Sequence, residues 1–249
     1  MLNYLKNKIR SFFFNRKFYI KIKEKNIFSV RKFGGATAGR AVSFFSKEPI
    51  TINWINNFES DSNFLDIGAN IGIYSLYAAS KNIKVVSFEP ESSNFYQLNL
   101  NILDNSFQNL IKAYPICAGD KLELGDLYLD TLKVGGSGHT FLSKISNAVS
   151  NNKELFIQGS LSISVDEFID FSFFIPNYIK IDVDGNENLV VKGMSKILKN
   201  KKLKSILIEI NNDNKLHRDS MDILIKNNFK IYGEEKYVKN IRNYIFVRQ

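Results

Sequence analysis

A short apolar strand leads directly into a glycine-containing turn and then into a helix. The strand is Phe64 to Ile67, the turn holds Gly68 and Gly72, and the helix extends from Ile71 to Ala79. Glycine at these two positions permits a backbone conformation that a β-carbon would oppose and lets a ligand come close. The segment reads G-x-x-x-G, so it lacks the G-x-G-x-x-G fingerprint of nicotinamide dinucleotide sites. The turn therefore predicts a ligand site of another kind at the end of this strand.

Two acidic residues accompany the turn. Asp66 precedes it, where its charge would repel a pyrophosphate but suits a ligand with an amino group and a positive sulfonium. Glu89 closes the next strand, 21 residues after Gly68. A carboxylate at that place accepts hydrogen bonds from both hydroxyls of a ribose. Together these residues predict S-adenosylmethionine as the cofactor.

Strands and helices alternate from residue 64 onward, which is typical of a parallel α/β sheet. Further predicted elements are strands at 84–88, 111–118, 178–183 and 203–210, helices at 92–103, 187–198 and 221–227, and a terminal strand pair at 229–232 and 240–247. Residues 121–163 differ, with short hairpin strands, a glycine-rich loop at 135–139 and a polar stretch. We expect this segment to be an insertion or a mobile lid rather than a strand of the sheet.

The positive charge of the chain is concentrated at its beginning. Residues 1–33 contain ten Lys and Arg and one Glu, and so carry the whole net charge of +9. Helical spacing at 2–13 and an alternating hairpin at 18–33 precede glycines that break the regular structure. We expect residues 1–60 to form a basic extension of helix and hairpin, and 61–249 to form the main domain.

This extension has two readings. In the first, the extension packs on the sheet and covers the ligand pocket, and its lysines lie in solvent. In the second, residues 1–33 bind an anionic membrane surface, where each basic residue adds about 1 kcal/mol to the binding free energy. The remainder of the chain is charge-neutral. It therefore lacks the phosphate-binding footprint of a nucleic-acid protein.

The single cysteine, Cys117, cannot form an intramolecular disulfide, which favours a reducing compartment. Its neighbours predict a buried strand residue. No apolar run approaches the roughly 20 residues of a membrane-spanning helix. Residues 12–14 are too short an apolar stretch for a signal peptide. We expect a cytoplasmic protein, with peripheral membrane attachment left open by the basic extension.

Five segments keep the order and spacing of a known family. They are Asp66-Ile-Gly-Ala-Asn-Ile-Gly72, Phe88-Glu89-Pro90 followed by Asn94 and Asn101, Ser164-Val-Asp-Glu-Phe168, Ile179-Lys-Ile-Asp-Val-Asp-Gly-Asn-Glu187, and Glu209. In these segments, within residues 50–210, the chain resembles the FkbM-type methyltransferases, a branch of the class I S-adenosylmethionine-dependent enzymes. The fourth motif of that family reads I-D-V-E-G-A-E, where this chain has Asp184 and Asn186.

The resemblance implies an α/β, Rossmann-like sheet of seven strands, of which the last is antiparallel. It also implies methyl transfer to a hydroxyl of a small molecule, most plausibly a sugar or glycoconjugate, which no residue indicates by itself. The implied cofactor-binding residues are Asp66, Gly68, Ala69, Asn70, Gly72, Glu89, Pro90, Asn94 and Asp182.

Four acids fall where neighbouring strands end: Asp182, Asp184, Glu187 and Glu209. Their repulsion is offset by a sulfonium, by a proton on one acid, or by a divalent cation. Oxygen ligands suit Mg²⁺ or Mn²⁺, and Asp182, Asp184 and Glu209 are the candidate ligands. Asp182 and Glu187 are also candidate catalytic residues. The structural alternative is a turn pair at Asp184 and a helix start at Glu187.

His139 lies in the glycine-rich loop and is a candidate general base near neutral pH. We therefore expect an O-methyltransferase. Two alternatives stay open, a nucleic-acid methyltransferase and a non-catalytic Rossmann-like scaffold. The segment after Asp182 lacks the Asp/Asn-Pro-Pro-aromatic run of amino-methylating enzymes, which disfavours the first alternative.

Overall fold

The computed structural model describes residues 17–22, 25–143 and 156–249. Its strands are β1 (Lys17–Ile22), β2 (Lys25–Arg31), β3 (Asn63–Ile67), β4 (Lys84–Phe88), β5 (Ile111–Tyr114), β6 (Cys117–Gly119), β7 (Glu123–Leu129), β8 (Thr140–Ser143), β9 (Phe156–Ser164), β10 (Tyr178–Ile181), β11 (Ser205–Asn211), β12 (Phe229–Val238) and β13 (Ile241–Arg248). Its helices are α1 (Gly35–Val42), α2 (Phe44–Lys47), α3 (Pro49–Asn56), α4 (Ile73–Ala79), α5 (Ser92–Asp104), α6 (Val165–Ser172), α7 (Glu187–Lys192) and α8 (Lys215–Lys226), with a 3₁₀ turn at Ile197–Lys199.

The central sheet has seven strands in the order β5-β4-β3-β10-β11-β13-β12. The strands from β5 to β11 are parallel, whereas β13 is antiparallel to both of its neighbours. The predicted Rossmann-like sheet with an antiparallel last strand is therefore confirmed. The chain builds outward from β3 to β5 and then returns to the other side of β3 in β10. This reversal leaves a crevice at the carboxyl ends of the strands, where open α/β sheets bind their ligands.

Alternate side chains of the sheet enter two separate cores. In β3, Phe64 packs with residues of α3, α4 and α5, while Leu65 packs in the opposite core with residues of α6, α7 and α8. This is the two-residue period of a strand covered on both faces. Asp66 shares the face of Phe64 and lies opposite Lys180 of β10 in the strand register. The sheet thus brings two charged side chains together beneath α4.

The region between β5 and α6 forms a sheet of its own. Strands β6, β9, β7 and β8 pair in that order, and none of them belongs to the central sheet. The single strand expected at 111–118 is wrong, because the chain breaks at Pro115 and β5 and β6 enter different sheets. The segment does stay outside the central sheet, as expected of an insertion, and it contains a regular strand of nine residues, β9.

The helix expected at 187–198 ends at Lys192, earlier than predicted. The reason is the next residue, Gly193, where a β-carbon would lie 2.2 Å from the carbonyl oxygen of Gly119. Glycine here lets the end of α7 approach β6 closely, and it also favours the end of a helix.

The predicted N-terminal hairpin is present as β1 and β2, and it packs on α5. The amide of Ser29 donates a hydrogen bond to Oδ1 of Asn105 at 2.7 Å, and the amide of Arg31 donates to Oδ1 of Asn101 at 2.9 Å. The Arg31 guanidinium also forms two hydrogen bonds with Asp104, at 2.5 and 2.8 Å. The described hairpin of the basic extension is therefore fixed to helix α5.

The sequence predicts that the glycines after the hairpin break the regular structure. In the structure, helix α1 starts at these glycines instead. Thr37 Oγ1 accepts a hydrogen bond from the Phe33 amide at 3.0 Å and donates one to the Gly34 carbonyl at 2.9 Å. These bonds hold the first turn, and burial of Thr37 and Ala41 fixes the helix against the core. Tertiary packing here outweighs the low helix propensity of glycine.

The helix expected at residues 2–13 lies outside the described residues. Within the ranges that the structure does describe, no helix combines the length and the apolar character that a membrane span requires.

Candidate active site

A cavity opens at the carboxyl ends of β3, β4 and β10, where the strand order reverses. Nine of the residues predicted from the sequence line it: Gly68, Asn70, Glu89, Pro90, Asn94, His139, Asp182, Asp184 and Glu209. The other predicted residues, Asp66, Ala69, Gly72 and Glu187, lie behind this lining. The lining residues converge because parallel strands end at one edge of a sheet.

The turn after β3 is packed against both neighbouring strands. The amide of Gly68 donates a hydrogen bond to the carbonyl oxygen of Phe88 at 3.0 Å. Gly68 has a φ of 78°, and a β-carbon there would lie 1.8 Å from the carbonyl oxygen of Asp182. At Gly72, with a φ of 83°, a β-carbon would lie 2.1 Å from Cδ1 of Leu98. Both glycines are therefore required by backbone conformation and by close packing.

The carboxylate of Glu89 is buried at the end of β4 and faces the cavity. Its Oε2 accepts a hydrogen bond from the Asn70 amide at 2.7 Å, and its Oε1 accepts one from the Glu91 amide at 3.0 Å. Burial raises the pKa of Glu89 to about 7. Each oxygen keeps a second lone pair for a ligand hydroxyl. The ribose contact of Glu89 stays a prediction, for which the residue is well placed.

The loop at residues 135–139 is tied to the glycine turn by two asparagines. Asn70 Nδ2 donates a hydrogen bond to the Gly136 carbonyl at 2.6 Å, and Asn94 Nδ2 donates to the same carbonyl at 3.2 Å. The Gly135 amide donates to Oδ1 of Asn94 at 2.7 Å. The sequence predicts both asparagines as cofactor residues, and in the structure they also hold this loop beside the cavity.

The same loop is held from the other side by residues that follow β10. Asp184 Oδ2 accepts a hydrogen bond from the Gly138 amide at 2.7 Å, and Asn186 Nδ2 donates one to the Phe141 carbonyl at 2.8 Å. Burial raises the pKa of the Asp184 carboxyl, and the nearby charge of Asp182 raises it further. Asp184 and Asn186 are the two positions at which the chain departs from the family's fourth motif. Asp184 therefore binds the loop that carries His139, and Asn186 binds β8, the strand that follows it.

The imidazole of His139 is half-buried and lines the cavity. Both of its ring nitrogens are shielded from solvent and have no hydrogen-bond partner among the described residues. Burial lowers the pKa of His139, so the ring is neutral at pH 7. A neutral imidazole without an internal partner can accept a proton from a bound molecule that comes into contact with one of these nitrogens.

A buried charge network lies between β3 and β10. Lys180 Nζ donates a hydrogen bond to Oδ2 of Asp182 at 2.7 Å and lies 5.3 Å from the ring centroid of Tyr74. Asp66 accepts a hydrogen bond from Ser75 Oγ at 2.5 Å. Burial raises the pKa of Asp66, and the charge of Lys180 opposes that rise. Lys180 thus offsets both aspartates, and of the two only Asp182 lines the cavity.

Glu187 braces the segment that follows β10. Its Oε1 accepts hydrogen bonds from the amides of Val183 and Gly185, at 3.1 and 3.2 Å. Its Oε2 lies 3.3 Å from Nε2 of the buried His217. Burial raises the pKa of Glu187 to about 7. The structure therefore gives this candidate catalytic residue a position from which it orients the main chain next to Asp182.

Glu209 lines the cavity from β11, and burial raises its pKa to about 8, with further increases from Asp182 and Glu187. It does not combine with Asp182 and Asp184 into a metal site. In the described ranges, three or more His, Cys, Asp or Glu side chains nowhere meet in an arrangement that could hold a metal ion. The metal prediction therefore finds no support, because Asp182 is paired with Lys180 and Asp184 with the Gly138 amide.

Two residues of the site were not singled out from the sequence. Lys180 is a charged residue inside an otherwise apolar strand, and that contrast with its neighbours is a signal for a buried ion pair. Arg40 comes from the N-terminal extension and lines the cavity. Its Nε donates a hydrogen bond to the Gly135 carbonyl at 2.9 Å, a contact across 95 positions that no local pattern reveals.

The polar groups around the cavity fit S-adenosylmethionine. Glycine at position 68 lets the turn after β3 lie directly against the main chain of Asp182, which brings the two segments that line the cavity together. Glu89 is a buried carboxylate that could accept hydrogen bonds from ribose hydroxyls, and Asp182 is an acid in the same lining that could face a positively charged ligand. The neighbouring Asn70 fixes the turn through Glu89.

Comparisons with known proteins identify the family. Residues 66–231 match the model of the methyltransferase FkbM domain. The hexuronic acid methyltransferase AglP of Haloferax volcanii is 28% identical over 153 residues, which cover 61% of this chain and 57% of that relative. The chain thus spans little more than half the length of this relative.

Solved structures show the same fold at low sequence identity. The methyltransferase domain of METTL16 superposes with a TM-score of 0.54 and 14% identity, over 100% of this chain and 92% of that chain. A putative rRNA methylase from Clostridium thermocellum gives a TM-score of 0.50 and 8% identity, over 81% and 94%. Because the family model spans most of the chain and the cavity suits the cofactor, the protein belongs to the FkbM family of S-adenosylmethionine-dependent methyltransferases.

Proposed function

We propose that the protein is an O-methyltransferase that transfers a methyl group from S-adenosylmethionine to a hydroxyl of a sugar or glycoconjugate. The observation that carries this proposal is the unpartnered imidazole of His139 in the cavity lining. A hydroxyl acceptor must lose a proton during methyl transfer, and a neutral imidazole is suited to take it. The similarity to a hexuronic acid methyltransferase supports a saccharide as the acceptor.

The residues at the ends of β3 and β4 would hold the cofactor. Glu89 would accept hydrogen bonds from the ribose hydroxyls, while the main chain at Gly68 and Asn70 would lie against the ligand. When bound, the cofactor supplies a methyl group made electrophilic by positively charged sulfur. Asp182 provides the negative charge that favours such a cation at the end of β10.

His139 would accept the proton of the acceptor hydroxyl at one of its ring nitrogens. The charges of Glu91, Asp184 and Asp130 act on this imidazole and oppose the burial that lowers its pKa. They would therefore stabilise the imidazolium once the proton has moved. The hydrogen bond from the Gly138 amide to Asp184 places the loop for this step.

Glu187 acts at one remove from the cavity. Its hydrogen bonds to the Val183 and Gly185 amides keep the segment after β10 in place. Such positioning matters because a displacement of about 1 Å in a reacting group can cost about a hundredfold in rate. We therefore propose that Glu187 is a positioning residue and that Asp182 is the acid that faces the ligands.

Methyl-labelled S-adenosylmethionine tests this function. The protein is incubated with separate saccharide, lipid, RNA and protein fractions, each with and without a chelator. We expect label in the saccharide fraction, unchanged by the chelator and stable to mild alkali, as a methyl ether is. Label confined to RNA or protein would overturn the acceptor class. Alkali-labile label in the saccharide would show that a carboxylate, and not a hydroxyl, receives the methyl group.

A further inference from the structure

We propose that Arg40 binds a carboxylate of the acceptor, so that the enzyme selects an acidic sugar. This inference rests on the proposed saccharide acceptor and adds the substrate class and the residue that recognises it. It is carried by the contacts of Arg40, by the pairing of the charges around it, and by the geometry of the guanidinium group.

Arg40 is half-buried, lines the cavity and is held in a fixed direction. Its Nε donates a hydrogen bond of 2.9 Å to the Gly135 carbonyl, and the Gly135 amide is itself bound by Asn94. The two Nη groups make no hydrogen bond or ion pair with any residue that the structure describes. One edge of the guanidinium is therefore anchored to the protein, and the other edge is available to a ligand.

Three other charged residues of the lining already have partners. Lys47 lies 3.3 Å from the carboxylate of Glu48, Asp182 accepts a hydrogen bond from Lys180, and Asp184 accepts one from a loop amide. Arg40 forms no ion pair with any of the described residues. A partly buried cation is costly unless it is paired, and a ligand anion would pair it.

A carboxylate matches this free edge better than a phosphate does. The two Nη groups form a planar pair of donors that binds both oxygens of a carboxylate. A carboxylate carries a single charge, which one guanidinium neutralises. A phosphate monoester carries nearly two charges, and the excess would face Asp182 and Asp184 across the same cavity.

Arg40 also lies near the residue proposed to take the proton. Burial lowers the pKa of His139, and the charge of Arg40 lowers it further. Burial raises the pKa of Asp182, and Lys180, Lys47 and Arg40 together lower it more strongly. A uronic acid carries its carboxylate and its hydroxyls on one ring, so both can be engaged at neighbouring residues.

Matched acceptors test this selection. Methyl glycosides of glucuronic and galacturonic acid are compared with those of glucose and galactose and with the hexose 6-phosphates. Methyl transfer is measured for the wild type and for Arg40→Gln, Arg40→Lys and Arg242→Gln. Arg242 pairs with Glu234 at the surface, so its variant changes the net charge equally without altering the cavity. Calorimetric binding of the same sugars, in the presence of S-adenosylhomocysteine, provides a readout that is independent of turnover.

We expect the wild type and Arg242→Gln to prefer the uronic acids. In Arg40→Gln, kcat/KM for the acid should fall about 10- to 100-fold more than that for the neutral sugar. Arg40→Lys should recover part of the preference, because it keeps the charge but not the planar pair of Nη donors.

Equal losses on acidic and neutral sugars would show that Arg40 only holds the loop. A preference for the phosphates would overturn the carboxylate assignment. Label accepted by no saccharide, acidic or neutral, would instead refute the proposed function itself.

Discussion

Gly68 and Asp182 are in contact through their main chains, so that a β-carbon on Gly68 would lie 1.8 Å from the Asp182 carbonyl oxygen. This contact joins the turn after β3 to the segment after β10, on the two sides of the reversal in strand order. The pairing of β3 with β10 thus continues into the turn, and this contact fixes the glycine turn against the segment that carries Asp182.

Gly68→Ala should disrupt this contact. The added carbon meets main-chain atoms that cannot rotate away, and alanine disfavours the φ of 78°. We expect a loss of roughly 2–4 kcal/mol in the free energy of unfolding and a large loss of cofactor affinity, measured by denaturation and calorimetry. The matched control is Gly39→Ala in α1, where a β-carbon meets nothing within 4 Å. That variant should gain about 0.5–1 kcal/mol, and equal effects of the two variants would contradict the explanation.

His139→Ala should separate chemistry from cofactor binding. We expect kcat to fall by about 100- to 10,000-fold, with cofactor affinity preserved. Burial lowers the pKa of His139 from its ordinary value of 6.5, so the acidic limb of the wild-type pH profile should lie below pH 6.5. This limb should vanish in the variant, and added imidazole should restore part of the rate. Unchanged turnover would exclude His139 as the base.

Lys180→Met should destabilise the protein, because it leaves Asp182 and Asp66 without their buried cation. We expect a loss of about 3–5 kcal/mol at pH 7. The loss should shrink at pH 5, because unpaired buried carboxyl groups take up protons more readily. Chemical denaturation at the two pH values measures both effects. Lys196→Met, which removes an exposed ion pair with Asp170, should change stability by less than about 1 kcal/mol at either pH.

Glu187 should make the stability of the protein depend on pH. Burial raises its pKa from 4.5 to about 7, so its protonated form stabilises the fold below pH 4.5 and this stabilisation is lost as the pH rises through 7. Glu187→Gln keeps an oxygen for the Val183 and Gly185 amides but cannot ionise. The variant should match the wild type at pH 5 and exceed it by roughly 1–3 kcal/mol at pH 8. The exposed control Glu59→Gln should show the same pH dependence of stability as the wild type. An equal change in the stability of Glu187→Gln at both pH values would refute the role of Glu187 in this pH dependence.

The parts of the molecule that follow local rules could be predicted from the sequence. The glycine turn at Gly68, the acid at Glu89 and the alternation of strands and helices depend on short-range patterns and on strand ends, whereas the seven-stranded sheet was implied by the family resemblance. Asp66 shows where this reasoning stops. Its position before the turn suggests a ligand contact. In the structure, the pairing of β3 with β10 places Asp66 beside Lys180 instead.

Features that depend on distant partners were missed. The helix α1 forms despite its glycines because Thr37 and Ala41 are buried against the core. The strand expected across Pro115 divides because its two halves have different partners. Arg40 reaches the cavity through a hydrogen bond to Gly135. In each case the deciding interaction joins segments far apart in the chain, and no periodicity in either segment records it.

The placement of β13 between β11 and β12 has a consequence for the integrity of the sheet. In the central sheet, β12 pairs only with β13, and β13 also covers the outer edge of β11. Loss of β13 would therefore leave β12 without a partner and would expose the edge of β11. Unpaired strand edges of this kind promote aggregation. Truncation shortly before residue 241 should cost this protein its solubility in the cell as well as its activity.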